Sequence, residues 1–273
     1  MSDGVVPLER RGLGQTARVD AWWVQPLVVF LGLTAFIAYA TWAAFQNAHY
    51  TFGPYLSPFY SPVLWASADN AGALHHAWLG VQPAWWPGWL PFSPALLILP
   101  FPAGFRLTCY YYRGAYYKSH WASPLSCTVG KWQQSYRGEH ALPLLLQNAH
   151  RYFLYAALAF ILILSWDAIK SFYHVDEDGQ GHVWIGVGSF VLTLNVILLS
   201  GYTFGCHSLR HLIGGGCDEV SKCSLGAGPY HCVSALNRRH MLWAWLSLIW
   251  VALSDVYVRM CSVGHWTDWH VVF

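Results

Sequence analysis

The segment VWIGVGSFVLTLNVILLSGYTFGCHSLRH, residues 183–211, decides the fold. Its first 22 residues contain no Asp, Glu, Lys or Arg, and a helix of about 20 apolar residues crosses a bilayer. Cys206, His207 and His211 follow directly after this run. We therefore expect a membrane helix over about 183–204 that ends beside a group of metal-ligating side chains.

The composition extends this expectation to the whole chain. Of its 273 residues, 55% are hydrophobic and 10% are charged, whereas soluble domains carry about 25% charged residues. Further apolar runs occur along the chain, and the first lacks the small-residue cleavage site of a signal peptide. The sequence predicts an all-α, polytopic integral membrane protein, one domain over 1–273 with five helices at about 22–45, 90–107, 148–166, 183–204 and 239–260.

The second predicted helix has an unusual composition for a membrane span. Pro94, Pro100 and Pro102 lie inside it, and a proline within a helix removes one backbone hydrogen bond. We expect this segment to be bent or broken.

The basic residues orient the five predicted helices. The chain has 15 Lys and Arg residues. With the N-terminus in the cytoplasm, 13 of them lie on the inner side and only Lys170 and Arg259 lie outside. Because cytoplasmic loops carry the excess of positive charge, we predict an inner N-terminus and an outer C-terminus. A net charge of +2 gives no electrostatic support for nucleic-acid binding.

This orientation places four potential metal ligands at the cytoplasmic edge. Cys109 and Cys206 follow the second and fourth predicted helices, and His150 and His240 begin the third and fifth. Two thiolates and two imidazoles fit either tetrahedral zinc or a Rieske-type [2Fe–2S] cluster. His150 and His240 could instead be the axial ligands of one haem b. The ligand set does not choose among these cofactors.

Other cysteines and histidines on the same side are alternative candidates. Cys127 could replace one cysteine ligand, and His207 or His211 one histidine, or they could act in a second shell. His207 and His211 form one histidine box, whereas membrane desaturases need several. The spacings of Cys217, Cys223 and Cys232 do not match a zinc knuckle, so we interpret them as loop thiols.

Two further sets of residues are candidates for quinone and proton chemistry. A quinone site needs an apolar slot with a few polar groups, and intramembrane carboxylates are often functional. Asp167 and Asp255 are therefore candidates for a proton path. The quinone candidates beside the ligand edge are Tyr110, Tyr111, Arg113, Arg151, Tyr152, Arg239 and Trp243.

Several segments carry a family resemblance. TCYYYRGAYYKSHW (108–121), LQNAHRYFLYA (146–156), CHSLRH (206–211) and LNRRHMLWAWLSLIWVALSDVYV (236–258) resemble the single large membrane-anchor subunit of actinobacterial succinate dehydrogenase, respiratory complex II. The family pattern falls on Cys109, Cys127, His150, Cys206, His207, His211 and His240. Relatives often have a cysteine where this chain has Leu209, so a cysteine there is no obligatory ligand here.

The resemblance implies a subunit of the bacterial plasma membrane with no succinate site of its own. It would dock an iron–sulfur subunit and, with it, an FAD-containing flavoprotein, and deliver electrons to a quinone, expected to be menaquinone, among membrane lipids. We prefer the Rieske-type cluster, since it uses all four ligands; one haem b is the alternative. Whether the complex forms a higher oligomer stays open. A membrane metalloenzyme acting on lipid and a structural or transport protein are the competing hypotheses.

Overall fold

The structure is a computed structural model, which describes residues 12–68, 70–131, 144–175, 179–215 and 227–273. The described chain is mostly helical. Its internal contacts divide it into two compact units, Met1–Ala35 with Leu107–Asn148, and Phe36–Arg106 with Ala149–Phe273. We call these unit 1 and unit 2. The expectation of a single domain stays a prediction.

Four helices in the described residues are long and apolar enough to cross a membrane. They are α1 (Val24–Gln46), α6 (His150–Lys170), α7 (Val187–Phe204) and α10 (His240–Val263). A 3-10 turn, Leu144–Ala149, precedes α6. In unit 2, α7 packs against both α6 and α10. Four of the five predicted spans are therefore confirmed as long apolar helices.

The second predicted span is broken, as its prolines indicated. It consists of α3 (Pro94–Ile98) and α4 (Pro100–Leu107). The eight residues of α4 extend only about 12 Å at 1.5 Å per residue, which is well short of a bilayer core of about 30 Å. A fifth crossing at this position stays a prediction.

The prediction of helix over residues 183–186 is wrong. These residues belong to strand β4 (Gly181–Gly186), which pairs with β3 (Tyr173–Val175) and β5 (His270–Val272) in an antiparallel sheet. Exposure alternates along β4, so its side chains have the period of a strand and not of a helix. The sheet joins the C-terminal ends of α6 and α10 to the start of α7, and we call this the sheet end of unit 2.

Aromatic side chains fill the core below the sheet end. The short strands β1 (Thr51–Phe52) and β2 (Tyr55–Leu56) form a hairpin, and the one-turn helix α2 (Ala71–Leu74) follows. Tyr50 and Tyr60 are fully buried, with ring centroids 4.0 Å apart and planes nearly parallel. The long loop after α1 is therefore a packed part of unit 2.

Three shorter helices, not predicted as helices from the sequence, complete the described chain. In unit 2, α8 (His207–Gly214) and α9 (Ala227–Asn237) pack against each other. They lie near the start of α6 and the end of α7, which we call the histidine end of unit 2 because α6 and α10 begin there with histidines. Unit 1 contains α5 (Tyr110–Ser119).

Candidate functional site

All four predicted ligands lie at the start of a helix. Cys109 is the N-cap of α5 and Cys206 is the N-cap of α8, with nearly the same backbone angles, φ −64° and ψ 133° against φ −67° and ψ 138°. His150 and His240 are the first residues of α6 and α10. All four side chains therefore project from the first turn of a helix.

His150 and Cys206 are in direct contact at the histidine end of unit 2. The Nε2 atom of His150 lies 3.0 Å from Sγ of Cys206. Only 8% of His150 and 1% of Cys206 is exposed. Phe105 of α4 stacks on the His150 ring, with centroids 4.7 Å apart and planes 4° from parallel. The α4 helix thus fixes the imidazole plane while Nε2 points at the thiol.

His240 is held by a second aromatic ring. Tyr202 of α7 stacks on it, with centroids 5.0 Å apart. The guanidinium of Arg106 lies over the same Tyr202 ring, 4.6 Å from its centroid. It also donates hydrogen bonds to the carbonyl of Ala244 and to Oγ of Ser247. Arg106 therefore ties α4, α7 and α10 together beside the two histidines.

The four donors match a two-cysteine, two-histidine centre in type. Cys109 is also buried, with 2% of its surface exposed, and it belongs to unit 1, whereas His240 is half-buried. Within the described residues, no three His, Cys, Asp or Glu side chains lie together in an arrangement that could hold a metal ion. The pair that the structure brings together is His150 and Cys206.

The alternative ligands lie in more open surroundings. Cys127 is exposed in unit 1, where its carbonyl accepts a hydrogen bond from Arg18. His207 and His211 are exposed on α8, one turn apart. Desolvation, His211 and Arg210 lower the pKa of His207, in that order of size. Cys232 is exposed on α9, and Cys217 and Cys223 lie outside the described residues.

The quinone candidates are spread over exposed and half-buried positions. Tyr110 and Tyr152 are 71% and 75% exposed, and the guanidinium of Arg113 lies 4.7 Å from the Tyr110 ring centroid. Trp243 of α10 packs close to the backbone of Gly201. Tyr111 is half-buried beside Tyr112, and Arg151 and Arg239 are exposed. Such positions suit side chains at headgroup level as well as a ligand.

Unit 2 contains an apolar cavity that the sequence did not predict. Its volume is about 430 Å³, within the range of about 300–1,000 Å³ typical of ligand pockets. Phe105, Arg106, Tyr202 and Thr203 line it at the histidine end. The remaining wall comes from α1, α3, α4, α6 and α7 with Pro58, Phe59 and Val251. The rings that stack on His150 and His240 are therefore also walls of the cavity.

The two intramembrane carboxylates both accept hydrogen bonds from hydroxyl groups. Asp255 is fully buried and forms an ion pair with Arg259, whose Nε lies 3.3 Å from Oδ2. Tyr39 donates to the same oxygen at 2.5 Å, and Ser57 donates to Oδ1. Asp167 is half-buried and accepts a hydrogen bond from Ser61. Both lie toward the sheet end, away from the start of their helices.

The four long apolar helices are those of an integral membrane protein. The family model described as "Actinobacterial succinate dehydrogenase subunit SdhC" matches residues 24–264. The chain therefore belongs to the SdhC membrane subunits of actinobacterial succinate dehydrogenase, as the resemblance predicted.

A solved structure agrees with this assignment. The chain is similar to a chain of the Mycobacterium smegmatis Sdh1 complex in the apo form, with 42% sequence identity and a TM-score of 0.83. The similarity covers 98% of each chain. No protein with curated annotation matches the sequence.

Proposed function

We propose that this membrane subunit docks the iron–sulfur and FAD-containing flavoprotein subunits of succinate dehydrogenase. In this role it passes electrons from succinate oxidation to a membrane quinone through a centre held by Cys109, Cys206, His150 and His240. The observations that carry the proposal are the family match over residues 24–264 and the position of Cys206, His150 and His240 at helix starts at one end of unit 2.

The donor set favours a Rieske-type [2Fe–2S] cluster, which two cysteines and two histidines hold on different irons. Such a cluster supplies one-electron transfer between the soluble subunits and quinone. The chain's own residues would bind it and fix its orientation. Phe105 and Tyr202 hold the imidazole planes by stacking.

One haem b remains the alternative cofactor, with His150 and His240 as axial ligands. The haem would leave Cys109 and Cys206 without a ligand role, whereas the cluster uses all four donors. A metalloenzyme acting on lipid would use the same donors, but the family assignment gives that alternative no support.

We propose the apolar cavity of unit 2 as the place where a quinone, expected to be menaquinone, approaches the centre. Its walls include the two rings that stack on the proposed histidine ligands. Arg106 and Tyr202 are the polar groups there that could contact a quinone carbonyl. None of the seven quinone candidates from the sequence lines this cavity.

The proposed membrane topology of the chain follows from the distribution of its Lys and Arg residues. The histidine end faces the cytoplasm, where the soluble subunits dock, because 13 of the 15 Lys and Arg residues fall on that side of the predicted topology. The broken segment of α3 and α4 would enter from the outer side as the fifth span. The N-terminus would then be inside and the C-terminus outside the bacterial plasma membrane.

Asp167 and Asp255 are proposed to belong to a proton path near the outer side. Hydroxyl groups of Ser61, Tyr39 and Ser57 already donate to their carboxylates, which is how a hydrogen-bonded proton path is built. We expect Asp167→Asn to slow quinone reduction while electron transfer from succinate to a soluble artificial acceptor is unchanged. Equal rates of quinone reduction in the variant and the parent complex would exclude Asp167 from the path.

The first test is spectroscopic. Optical and electron paramagnetic resonance spectra of the purified complex are recorded in the oxidised and dithionite-reduced states, with iron, sulfide and haem assayed on the same sample. We expect a haem-free complex with a Rieske-like signal that Cys206→Ser removes. A stoichiometric b-haem spectrum would instead assign His150 and His240 as axial ligands.

The second test separates the two half-reactions. We expect His150→Ala and His240→Ala to abolish quinone reduction, while succinate oxidation by an artificial acceptor persists at the soluble subunits. His231→Ala, an exposed histidine on α9, is the matched control and should retain both activities. Equal loss of both activities in a fully assembled complex would contradict the proposal.

A further inference from the structure

The histidine pair on α8 is not used by the proposed function. His207 and His211 are separated by one helical turn and both are exposed. Their Nε2 atoms lie 3.0 Å apart, with ring planes at 82°. Two histidines at positions i and i+4 of a helix are the standard arrangement by which a helix presents two imidazoles to one metal ion.

The distance between the two nitrogens restricts the ion. With metal–nitrogen bonds of about 2.0–2.1 Å, a separation of 3.0 Å corresponds to a ligand–metal–ligand angle of roughly 94°. Tetrahedral zinc would need the nitrogens about 0.3 Å further apart. A near right angle fits the tetragonal geometry of Cu²⁺ or Ni²⁺, for which imidazole is a favoured ligand.

The neighbouring side chains of this chain do not cover the pair. Arg210, between the two histidines in sequence, points to α9, where Nε donates to Oγ of Ser234 and Nη2 donates to the hydroxyl of Tyr230. Cys232 lies two residues from each of these partners, so it is on a different face of α9 from the one that meets α8. The pair therefore offers two imidazoles, with water to complete the coordination.

We propose that His207 and His211, both exposed on this chain, form a chelating site for a tetragonal divalent transition-metal ion, Cu²⁺ or Ni²⁺, separate from the buried centre. The chemistry is ligand exchange only. The ion replaces water with two Nε2 atoms, and the ring proton that now joins the two nitrogens moves to Nδ1 of its ring, so no net proton is released. The site does not rest on the proposed redox function, because neither histidine is needed there.

The site is tested with Cu²⁺ alone on the tag-free, purified complex. Equilibrium dialysis gives the copper bound per chain, and electron spin echo spectroscopy counts the imidazole nitrogens around it. We expect one Cu²⁺ bound by two imidazoles, with Ni²⁺ and Zn²⁺ bound more weakly.

Variants assign the ligands. His211→Gln should lower the Cu²⁺ affinity about a hundredfold, because the second imidazole no longer binds as part of a chelate. His231→Gln, on the neighbouring helix, should leave it unchanged. His207→Gln should match His211→Gln, and circular dichroism of each variant checks that the helices persist. Copper bound equally by the His211→Gln and parent complexes, or bound by sulfur, would overturn the site.

Discussion

Replacing Arg259 with Met should destabilise the chain strongly, because it leaves a buried carboxylate without its counter-ion. The Asp255 side chain has no exposed surface and that of Arg259 has 4%. Arg259 also donates to the carbonyl of Ala48 at 2.8 Å and lies 5.2 Å from the Trp42 ring centroid. Tyr39 and Ser57 would remain as donors to Asp255, but they are neutral.

The size of the effect follows from the burial. Removing one partner of a buried ion pair costs about 3–5 kcal/mol, which corresponds to a fall of about 6–20 °C in the midpoint of thermal unfolding for a chain of this size. Replacing both partners, as Asp255→Leu with Arg259→Met, removes the unpaired charge. We expect this double variant to recover most of the lost stability.

The assay is thermal unfolding of the purified chain in detergent, followed by circular dichroism. Arg238→Met is the matched control, since Arg238 is exposed just before α10, and it should change the free energy of unfolding by less than about 0.5 kcal/mol. If Asp255 also carries protons, the double variant recovers stability but not quinone reduction. A single variant as stable as the parent, or a double variant as unstable as the single one, would refute the ion-pair argument.

Two further predictions concern the sheet end. Gly188→Ala should destabilise the chain by about 1–3 kcal/mol, because its new Cβ would lie 2.4 Å from the Tyr55 ring. The control Gly228→Ala, which has open space around it, should be neutral or slightly stabilising. Denaturant unfolding compares the two variants, and equal midpoints would contradict the close packing of Gly188 against Tyr55. Burial, first among several causes, raises the pKa of Tyr55 to about 12 from 10.0. Since the folded pKa lies above the unfolded one, this contribution to stability is complete below pH about 10 and is lost as pH rises through about 12. We therefore expect the thermal unfolding midpoint of the parent protein, but not that of Tyr55→Phe, to fall over this alkaline range. An equal fall in both proteins would assign the loss of stability to another group.

Helices that are both long and apolar could be predicted from the sequence because their signal is local. The predicted run at 22–45 became Val24–Gln46, and that at 239–260 became His240–Val263. The prediction was less accurate where tertiary pairing overrides hydropathy. Residues 183–186 are as apolar as the helix that follows, yet they pair with β3 and β5. That pairing depends on a strand almost ninety residues away, which no local pattern reveals.

The candidate site also has one part that could be predicted from the sequence and one part that could not. Cys206 and His150 could be singled out by residue type and predicted depth, and the structure brings them into contact. The cavity could not be found in this way, because it is enclosed by residues from six separate segments of unit 2. The prolines of the broken span were nonetheless a sequence signal for the cavity. They stop α3 and shorten α4, and residues of both helices line the cavity.

The two ends of unit 2 bury different polar groups. At the sheet end, Asp268 accepts hydrogen bonds from Tyr55, Tyr257 and the backbone N–H of Gly188, while Trp184 donates to Tyr55. A fully satisfied network of this kind rigidifies the helix ends. At the histidine end, His150 and Cys206 are buried in contact with each other, and Phe105 stacks on the imidazole. Imidazole and thiolate are also metal ligands. Under the proposed function, a bound centre would join the helices that begin at this end, and we therefore expect loss of the centre to destabilise this end of the unit more than the other.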